Sequence, residues 1–564
     1  MIIERDVEIP ADDGLMLRAD IFRPDNEQPA PIIMTQGPYG KGVEYKDGYA
    51  AHWEWLLKTH PGILPNSTRS YMTWETVDPE IWTSWGYVCI RVDSRGTGRT
   101  PGFLDIFSPR EIKDFYDAIE WAGVQSWSNG KVGLLGISYY AITQWLVASL
   151  QPPHLAAIIP WEGAADYYRD VTRHGGIVSN GFMEAWYERQ VLSNQHGNEK
   201  GKTDPWMHQL ATGPEKLSEQ ELLANRTDPV GDVIELSLDS QFYRDRSADW
   251  SKVTVPFLSA ANIAGFGLHP RGNFEAFTQA ASAQKWLEIH PGRHEEWFYL
   301  QKPMEMQKRF LDHFLKGMSN GWDLEPSVLL HVRKPFSTTF PLRKEPSWPL
   351  ESTHWTKSYL CASSKSLSWE PLAQESNITF SATNESLTFT SPPLEQETEI
   401  TGPLAAKLFI SSSTTDVDLF LTLQAFSPSG QEVTFQGTLD THTPLAQGWL
   451  RASHRKLDPQ LSLPYRPYHT HDEIQPLEQG KVYKVDVEIW PTCIVLPAGF
   501  TLVLRISGRD FEREEGQIFN KGSGPFLHTH ERDRSAAVFA GNAETTVWTG
   551  GERESFLLLP VIKN

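Results

Sequence analysis

Cysteine is scarce in this chain, which has three, Cys89, Cys361 and Cys493, among 564 residues. Three widely separated cysteines supply neither a disulfide framework nor a cysteine-rich zinc site. Because this composition is typical of a reducing compartment, we expect a cytoplasmic protein.

Basic residues are fewer than acidic ones, and long apolar runs are also lacking. Lys and Arg number 51 against 71 Asp and Glu, and the net charge of -20 disfavours binding to nucleic acid or to anionic membranes. The longest apolar runs, near 155–161 and 556–559, are too short to cross a bilayer. We expect a small-molecule substrate as the partner, with no nucleic acid and no membrane, and a homodimer stays open.

The most informative segment is a strand that stops at Gly-x-Ser and restarts as a helix. Residues 131–137 read as a buried strand, and residues 141–150 read as a helix that closes at a Pro-Pro pair. A serine at such a turn is lifted clear of the backbone and faces the free N–H groups of the helix. Ser138 is therefore the candidate nucleophile, with a structural turn serine as the alternative. The other Gly-x-Ser sequence, at 317–319, lacks this setting.

The chain divides into an α/β part and an all-β part. After an antiparallel opening, strands alternate with helices up to about residue 317, which is typical of a largely parallel sheet. A stretch rich in helix formers, Trp and Tyr interrupts the alternation, as a helical cap would. Short strands divided by Gly, Pro and Ser turns follow, which indicates a β-sandwich. The predicted domains are an α/β core at 1–166 and 251–344, a helical cap at 167–250 and a sandwich at 345–564.

Motifs in three regions resemble those of one known family. They are the opening that ends at Arg23-Pro24-Asp25, the Gly37-Pro38-Tyr39 turn, Asp93-Ser94-Arg95-Gly96, the Gly-x-Ser-Tyr elbow, and the segments 161–169, 402–423 and 448–458. By these motifs the chain resembles the cocaine-esterase and X-prolyl dipeptidyl-peptidase family, also called the CocE/NonD hydrolases, over nearly its whole length. The resemblance implies an α/β-hydrolase core with a helical cap, followed by a C-terminal jelly-roll sandwich.

The resemblance also assigns roles to matching positions. Family members form the oxyanion hole from the hydroxyl of a tyrosine in the Pro-Tyr turn and the backbone N–H after the serine, which here belong to Tyr39 and Tyr139. The family's catalytic histidine lies in a loop after a late strand. The matching loop, 290–294, makes His294 the general base and leaves His290 a structural residue.

The family's catalytic acid is missing from its usual position. Family members carry an aspartate after the preceding strand, where this chain has Ala264. Some enzymes of this fold carry the acid at the end of the strand that follows the nucleophile helix, and here that strand is followed by Glu162. Glu162 is therefore the predicted substitute, with an ion pair to a cap arginine as its structural alternative. Asp166 is the second choice, and Asn262 is a neutral group able to orient His294.

Two His-x-His pairs, His469 with His471 and His528 with His530, raise the question of a metal site. Alternate residues of a strand share one face, so each pair would present two imidazoles to an ion. Histidines and carboxylates at a domain seam explain the pattern equally well, and the resemblance implies no metal. We predict no metal and no other cofactor.

These residues together predict a serine hydrolase of ester or amide bonds. Ser138 attacks the acyl carbonyl, His294 transfers the proton and Glu162 orients His294, while Tyr39 and the Tyr139 N–H bind the oxyanion. Aromatic residues of the cap predict a small hydrophobic acyl group. The predicted substrate-binding residues are Trp161, Tyr167, Tyr168 and Trp186.

Three alternatives stay open. An acyltransferase would use the same triad but pass the acyl group to an alcohol or amine. A dipeptidyl peptidase acting on X-Pro bonds would need an acidic subsite for the free amine. A catalytically degenerate binding scaffold is suggested by Ala264, because losing the acid of a working triad lowers turnover by about 10⁴-fold.

Overall fold

The computed structural model describes residues 1–26, 28–381, 383–513, 524–534 and 543–563. Strands and helices alternate through the first 345 residues. The strands described there are β1 (Ile2–Pro10), β2 (Met16–Arg23), β3 (Ala30–Gly37), β4 (Val88–Asp93), β5 (Ser128–Ile137), β6 (Leu155–Trp161), β7 (Arg173–His174), β8 (Ile177–Val178), β9 (Thr203–Asp204), β10 (Gln209–Leu210), β11 (Phe257–Asn262), β12 (Lys285–His290), β13 (Val328–His331) and β14 (Leu342–Glu345).

The helices of this part differ widely in length. They are α1 (Tyr45–Gly48), α2 (Ala50–Thr59), α3 (Pro79–Ser84), α4 (Pro109–Gly123), α5 (Tyr139–Ala148), α6 (Asn180–Trp186), α7 (Glu219–Ala224), α8 (Pro229–Glu235), α9 (Gln241–Arg244), α10 (Pro270–Gln279), α11 (Glu296–Tyr299) and α12 (Gln301–Lys316). Among the residues described, no helix is both long and apolar enough to span a membrane.

Ten of the strands form one sheet in the order β1-β2-β4-β3-β5-β6-β11-β12-β13-β14. Neighbours from β4 to β13 are parallel, whereas β1, β2 and β14 pair antiparallel at the two edges. All residues of β3, β4 and β11 are buried, as expected for parallel strands covered on both faces. The carboxyl ends of β5, β6, β11 and β12 therefore meet at one edge, where α/β sheets bind their ligands.

Helices α4 and α5 show how the local sequence determines where a helix begins and how deeply it is buried. The hydroxyl of Ser108 accepts the N–H of Glu111 and Pro109 occupies the first turn, so α4 begins with a side-chain cap. Every residue of α5 is buried, which matches its apolar sequence. Because α5 is enclosed in this way, the turn that precedes it is held in place.

Residues 167–250 connect β6 to β11 through short elements. Helices α6 to α9 have four to seven residues, and π-helical turns occupy Tyr167–Thr172 and Tyr187–Val191. The hairpins β7-β8 and β9-β10 add strand structure. Gly175 and Gly176 both have positive φ at the β7-β8 turn, as a two-residue hairpin requires, and a Cβ on Gly175 would lie 2.2 Å from the Trp449 carbonyl oxygen. The hairpin therefore packs closely against the C-terminal domain.

The C-terminal residues form an all-β domain, as the alternating pattern predicts. Its described strands are β15 (Thr353–Cys361), β16 (Ser366–Ser368), β17 (Ser376–Ser381), β18 (Ser386–Thr390), β19 (Thr398–Ser412), β20 (Asp418–Phe426), β21 (Ala446–Arg451), β22 (Tyr483–Leu496), β23 (Thr501–Ser507), β24 (Glu544–Thr549) and β25 (Phe556–Ile562). They follow one another in a single sheet, and an additional pairing of β19 with β25 closes it. The fold is thus an α/β core with a C-terminal β-sandwich that closes as a barrel.

Candidate active site

Ser138 stands at a strained turn between β5 and α5. Its φ of 58° and ψ of -115° place a non-glycine residue in the positive-φ region, and its N–H donates to the Trp161 carbonyl oxygen at 3.0 Å. Gly136 permits the turn, because a Cβ there would lie 2.6 Å from the Tyr140 Cβ. The Ser138 Oγ lies 3.0 Å from the Nε2 atom of His269. The elbow thus presents its hydroxyl to a histidine.

His269 precedes α10 in the loop after β11, and the sequence analysis did not single it out. Its Nδ1 atom lies 3.8 Å from the Glu162 Oε2 and has no hydrogen-bond partner among the described residues. The His269 and His294 rings stack with centroids 4.9 Å apart and an angle of 15°. Burial, and then the charge of His294, lower the pKa of His269 to about 3. His269 is therefore a neutral imidazole near pH 7.

His294, the histidine expected to contact Ser138, is instead stacked on the ring of His269, which makes that contact. Its Nδ1 is 2.7 Å from Glu162 Oε2, and its Nε2 is 2.8 Å from Glu75 Oε1. Burial alone would lower the pKa of His294, but the charge and hydrogen bond of Glu162, followed by those of Glu75, raise it to about 10. His294 is held between two carboxylates as an imidazolium.

Glu162, the predicted substitute acid, is at the centre of the cluster. It follows β6 with a φ of 51° and is fully buried. Its Oε1 accepts from Asn262 Nδ2 at 3.1 Å and lies 3.3 Å from His290 Nε2. Burial raises its pKa, but the charge of His294 and the hydrogen bonds from His290 and His294 outweigh this effect and hold the pKa at about 2. The carboxylate is ionised.

The other acidic and amide candidates serve other contacts. Asp166 pairs with Arg169 and accepts backbone N–H groups at the start of a π-helical turn. Asn262 donates to Glu162 and to the Gly292 carbonyl oxygen, so it orients the carboxylate and not His294. The Ala264 N–H donates to Asn262 Oδ1. The neighbouring strand β6 thus supplies the carboxylate that Ala264 does not.

Glu75 is a site residue that the sequence analysis missed. It lies in the loop before α3 with a φ of 62°, and its carbonyl oxygen accepts the N–H of Ile137 at 3.1 Å, next to Ser138. Burial raises the pKa of Glu75, and although the hydrogen bond to His294 opposes this, the pKa reaches about 7. No periodicity or motif marks this glutamate, since its place depends on how the loop folds back onto β5.

The two expected oxyanion donors border the nucleophile. The Tyr39 hydroxyl accepts the Trp186 Nε1–H at 3.0 Å, which leaves its own hydrogen for another acceptor. Tyr139 is the first residue of α5, a position whose backbone N–H has no acceptor within the helix. The Tyr139 phenol is occupied separately, because it donates to the carboxylate of Glu111.

A narrow apolar cavity opens onto Ser138. Among the described residues its lining contains no charged side chain and is formed by Tyr39, Phe107, Ser138, Tyr139, Ile142, Val171, Phe182, Met183, Trp186 and Leu268. Trp186 is the one predicted substrate-binding residue in this wall. Trp161 stacks on His290, Tyr167 contacts Phe107, and the Tyr168 hydroxyl donates to the Ser237 carbonyl oxygen.

Glu162, His269 and His294 offer ligand atoms within 4.8 Å of one another, a spacing that a metal ion could bridge. A metal bound to a histidine lies close to the plane of the ring, along the nitrogen lone pair. One ion cannot lie in both ring planes here, because the His269 and His294 rings are stacked nearly parallel. These residues as arranged do not fit a metal.

Three of the four His-x-His residues lie in a second cluster, between residues 169–178 and the β domain, and His530 is not part of it. We call His174, His454, His469, His471 and His528 the seam histidines. They contact each other: His454 Nδ1 is 3.1 Å from His471 Nδ1, and His174 Nδ1 is 2.8 Å from His528 Nε2. Within the described part of the chain, no group of three potential ligands at metal spacing includes a seam histidine.

Comparison with known proteins agrees with this architecture. Residues 13–296 match the model of the X-Pro dipeptidyl-peptidase (S15) family, and residues 320–558 match its C-terminal non-catalytic domain. The chain is 23% identical to cocaine esterase from Rhodococcus sp. (strain MB1 Bresler), over 100% of this chain and 99% of that one.

Solved structures extend the agreement. A CocE/NonD family hydrolase from Staphylococcus aureus superposes with a TM-score of 0.85 at 31% identity, covering 100% of this chain and 94% of the other. An aminopeptidase from a Thaumarchaeota archaeon shares the fold, with a TM-score of 0.70 at 16% identity over 100% of this chain and 96% of that one. By sequence model, identity and fold together, this chain belongs to the CocE/NonD family of serine hydrolases.

Proposed function

We propose that this enzyme hydrolyses an ester or amide of a small hydrophobic acyl group through an acyl-enzyme on Ser138. The observation that carries the proposal is the position of the Ser138 Oγ, 3.0 Å from a histidine nitrogen and at the wall of an apolar cavity. A strained elbow, an adjacent base and helix N–H groups are the three things that a nucleophilic serine needs.

His269 is the base in this proposal, and His294 positions it. A base must be unprotonated to accept the serine proton. The low pKa of His269 leaves its Nε2 free, whereas the pKa of about 10 keeps His294 protonated near neutrality. Ser138 therefore passes its proton to His269 Nε2, and Glu162, 3.8 Å from the other ring nitrogen, attracts the imidazolium that forms.

Tyr39 and the Tyr139 N–H stabilise the tetrahedral oxyanion. The Tyr39 hydroxyl points its hydrogen away from Trp186, and both groups adjoin Ser138 in the cavity wall. Removing one such donor lowers turnover by about 10²–10³-fold in serine hydrolases. These groups bind the oxygen only as it gains charge, so they favour the transition state over the substrate.

The wall composition supports an uncharged acyl group. The lining is aromatic and aliphatic, and a free amine buried there would lose its hydration without gaining a carboxylate partner. Dipeptidyl cleavage at X-Pro is therefore disfavoured. Ser138 is only 8% exposed, a setting that also suits acyl transfer to an alcohol or amine when such an acceptor displaces water.

A fluorophosphonate probe tests the nucleophile directly. We expect intact-mass analysis to show one adduct on the wild type, none on Ser138→Ala and an unchanged adduct on Ser319→Ala, the matched control from the second Gly-x-Ser sequence. Ser319 is exposed and lies far along the chain from the cavity-lining residues. An adduct that persists in Ser138→Ala, or no adduct on the wild type, would refute the assignment.

A substrate series then separates the alternatives. We expect hydrolysis of p-nitrophenyl acetate, butyrate and benzoate, and no release from an X-Pro p-nitroanilide. Mass spectrometry of reactions with added butanol distinguishes free acid from butyl ester, and predominant ester would favour acyl transfer. Labelling of Ser138 with no turnover of any ester would favour the scaffold alternative.

A further inference from the structure

Both ring nitrogens of His294 are hydrogen-bonded to carboxylates, and this requires two protons. The Nδ1 contact to Glu162 is 2.7 Å and the Nε2 contact to Glu75 is 2.8 Å. A neutral imidazole carries one N–H, so it satisfies one of these contacts only. The second proton lies on His294, whose pKa of about 10 exceeds the pKa of about 7 of Glu75, so an imidazolium faces the Glu75 carboxylate.

The backbone at Glu75 is strained in the same way as at two other site residues. Ser138, Glu162 and Glu75 have φ values of 58°, 51° and 62°, although none is glycine. Such conformations are costly and concentrate at functional sites. The Glu75 carbonyl oxygen also accepts the N–H of Ile137, the residue before the nucleophile. This hydrogen bond fixes the backbone of Glu75 relative to the nucleophile turn.

We propose that Glu75 is a positioning residue that takes the Nε2 proton of His294 when His269 takes the proton of Ser138. The proposal rests on Ser138 and His269 acting as described above. The physical reason is the stacking of the His269 and His294 rings, whose centroids are 4.9 Å apart. If His294 kept both protons while His269 took the serine proton, two positive charges would be in contact as the tetrahedral intermediate forms. Glu75 keeps one positive charge on the pair.

The proton balance closes without solvent. On attack, the Ser138 O–H bond breaks as a bond forms between its oxygen and the acyl carbon, and the proton moves to His269 Nε2. The His294 Nε2–H proton moves to Glu75 Oε1. When the intermediate collapses, His269 protonates the leaving group and Glu75 returns its proton to His294. Water repeats the same exchange in deacylation.

The other charged groups around His294 do not compete for this role. His290 is held by Glu288 at 2.6 Å and by Glu162, and Arg293 faces Glu295 at 3.6 Å. Glu295 is also hydrogen-bonded to His52, and the uncharged Trp74 ring lies 6.0 Å from the His294 ring. Among the described residues, Glu75 Oε1 is the acceptor on the Nε2 side.

Glu75→Gln is the test, because glutamine has the same shape and cannot take the proton. With p-nitrophenyl butyrate we expect kcat to fall about 10–100-fold while KM stays within about twofold. Because His294 must then lose its proton to solvent, the acid limb of the pH profile of kcat/KM should move to higher pH by at least one unit. Glu75→Asp should retain the limb, and Glu295→Gln, which changes a buried carboxylate that pairs with His52, should leave rate and limb unchanged.

A spectroscopic readout accompanies the kinetics. In ¹⁵N-histidine-labelled protein, we expect a low-field proton signal from the His294 Nε2–H bond to Glu75, which moves upfield in Glu75→Gln. A lower rate with an unmoved pH limb and an unmoved signal would mean that Glu75 is structural, and the inference would be overturned. The fluorophosphonate adduct on Ser138 reports the proposed function separately, since it needs no substrate.

Discussion

The molecule contains two buried histidine clusters that behave in opposite ways. The active-site cluster brings His269, His290 and His294 together with the carboxylates of Glu75, Glu162 and Glu288. The seam histidines mainly contact each other and aromatic rings, as His174 does with Trp449 and Trp490, and among them His528 also pairs with the carboxylate of Asp510 at 2.8 Å. Burial is nearly complete in both clusters, so burial does not explain their difference.

The difference lies in the charged partners. At the active site, carboxylates overcome the effect of burial and raise the pKa of His290 to about 9 and of His294 to about 10. At the seam, burial acts with neighbouring positive charges and lowers the pKa of His454 to about 3, and burial does the same for His469. His290 and His294 are thus cations near pH 7, whereas His454 and His469 are neutral.

The comparison teaches that the spacing of histidines in a sequence says little about their chemistry. The His-x-His sequences are the more conspicuous pattern, yet the pKa of His469 and His471 is lowered by burial, so the first pair supplies neutral packing groups. The reactive geometry comes from single histidines on separate loops, which the parallel strands β6, β11 and β12 bring to a common edge. His269 is the exception inside its own cluster, because its pKa is lowered beside the charged His294.

Replacing one histidine of each cluster by alanine compares the two clusters, and the active-site replacement has the largest expected effect on kcat/KM. We expect His269→Ala to lower kcat/KM for p-nitrophenyl butyrate by about 10⁴-fold or more, because the serine loses its proton acceptor. His469→Ala, a seam change, should leave kcat/KM within about twofold. Steady-state rates measured together with circular dichroism spectra check both.

His294→Ala decides between the two candidate bases. If His294 only positions His269, this variant should retain more activity than His269→Ala. The reverse order, with His269→Ala nearly active and His294→Ala inactive, would restore His294 as the base that the resemblance implies.

Removing the Glu162 carboxylate should lower the pKa of His294 toward the low values of the seam histidines. Glu162→Gln leaves the shape but removes the anion that stabilises the imidazolium, and we expect kcat to fall about 10³–10⁴-fold. The pKa of His294 should also fall, since its largest favourable interaction is with Glu162. Histidine ¹⁵N shifts followed over pH measure the second effect, and an unchanged His294 titration would contradict the electrostatic account.

Much of the core could be predicted from sequence because it depends on local pattern. The buried strand, the turn at Ser138 and the apolar helix are encoded within about twenty residues, and β5 and α5 lie where the pattern places them. The position of Glu162 follows similarly from the strand order of the fold, and its contact with His294 at 2.7 Å agrees with the predicted pairing. The domain boundaries and catalytic roles remain predictions.

His269 and Glu75 could not be predicted in the same way. The histidine follows Ala264 by five residues, directly before Pro270 at the start of α10, so a search of that loop for a second histidine would have found it. Glu75 has no such signal. Its side chain meets His294 across 219 residues of sequence, because a loop with strained φ folds against β5.

Acid should destabilise the protein through the seam. The seam histidines with lowered pKa are neutral in the folded protein but bind protons when unfolded, where the pKa is about 6.5. Their contribution to stability is therefore present above pH 6.5 and is lost as pH falls below 6.5, in the case of His454 and His469 down to about pH 3. As the pH falls through this range, each such histidine lowers the free energy of unfolding by about 1.4 kcal/mol per pH unit. His290 and His294 have the opposite sign, losing their contribution as pH rises toward 9 and 10.

The variant His454→Asn removes one of these titrations. We expect the free energy of unfolding of the variant to fall less steeply between pH 6 and pH 4.5, by about 1.4 kcal/mol per pH unit relative to the wild type. Urea unfolding at several pH values measures the slope. Parallel curves for variant and wild type would mean that His454 is not held neutral by the fold.

The smallest expected effect sharpens the comparison inside the active site. Glu288 lies 2.6 Å from His290 Nδ1, and its charge is the largest favourable influence on the pKa of His290. Glu288→Gln should therefore lower that pKa by at least one unit, toward the neutral state of the seam histidines. Because His290 touches Glu162 at 3.3 Å but contacts neither Ser138 nor His269 through a hydrogen bond among the described residues, we expect kcat to fall only about 3–10-fold. A loss as large as that of Glu162→Gln would mean that His290 must be cationic for catalysis, and that the whole carboxylate network acts as one unit.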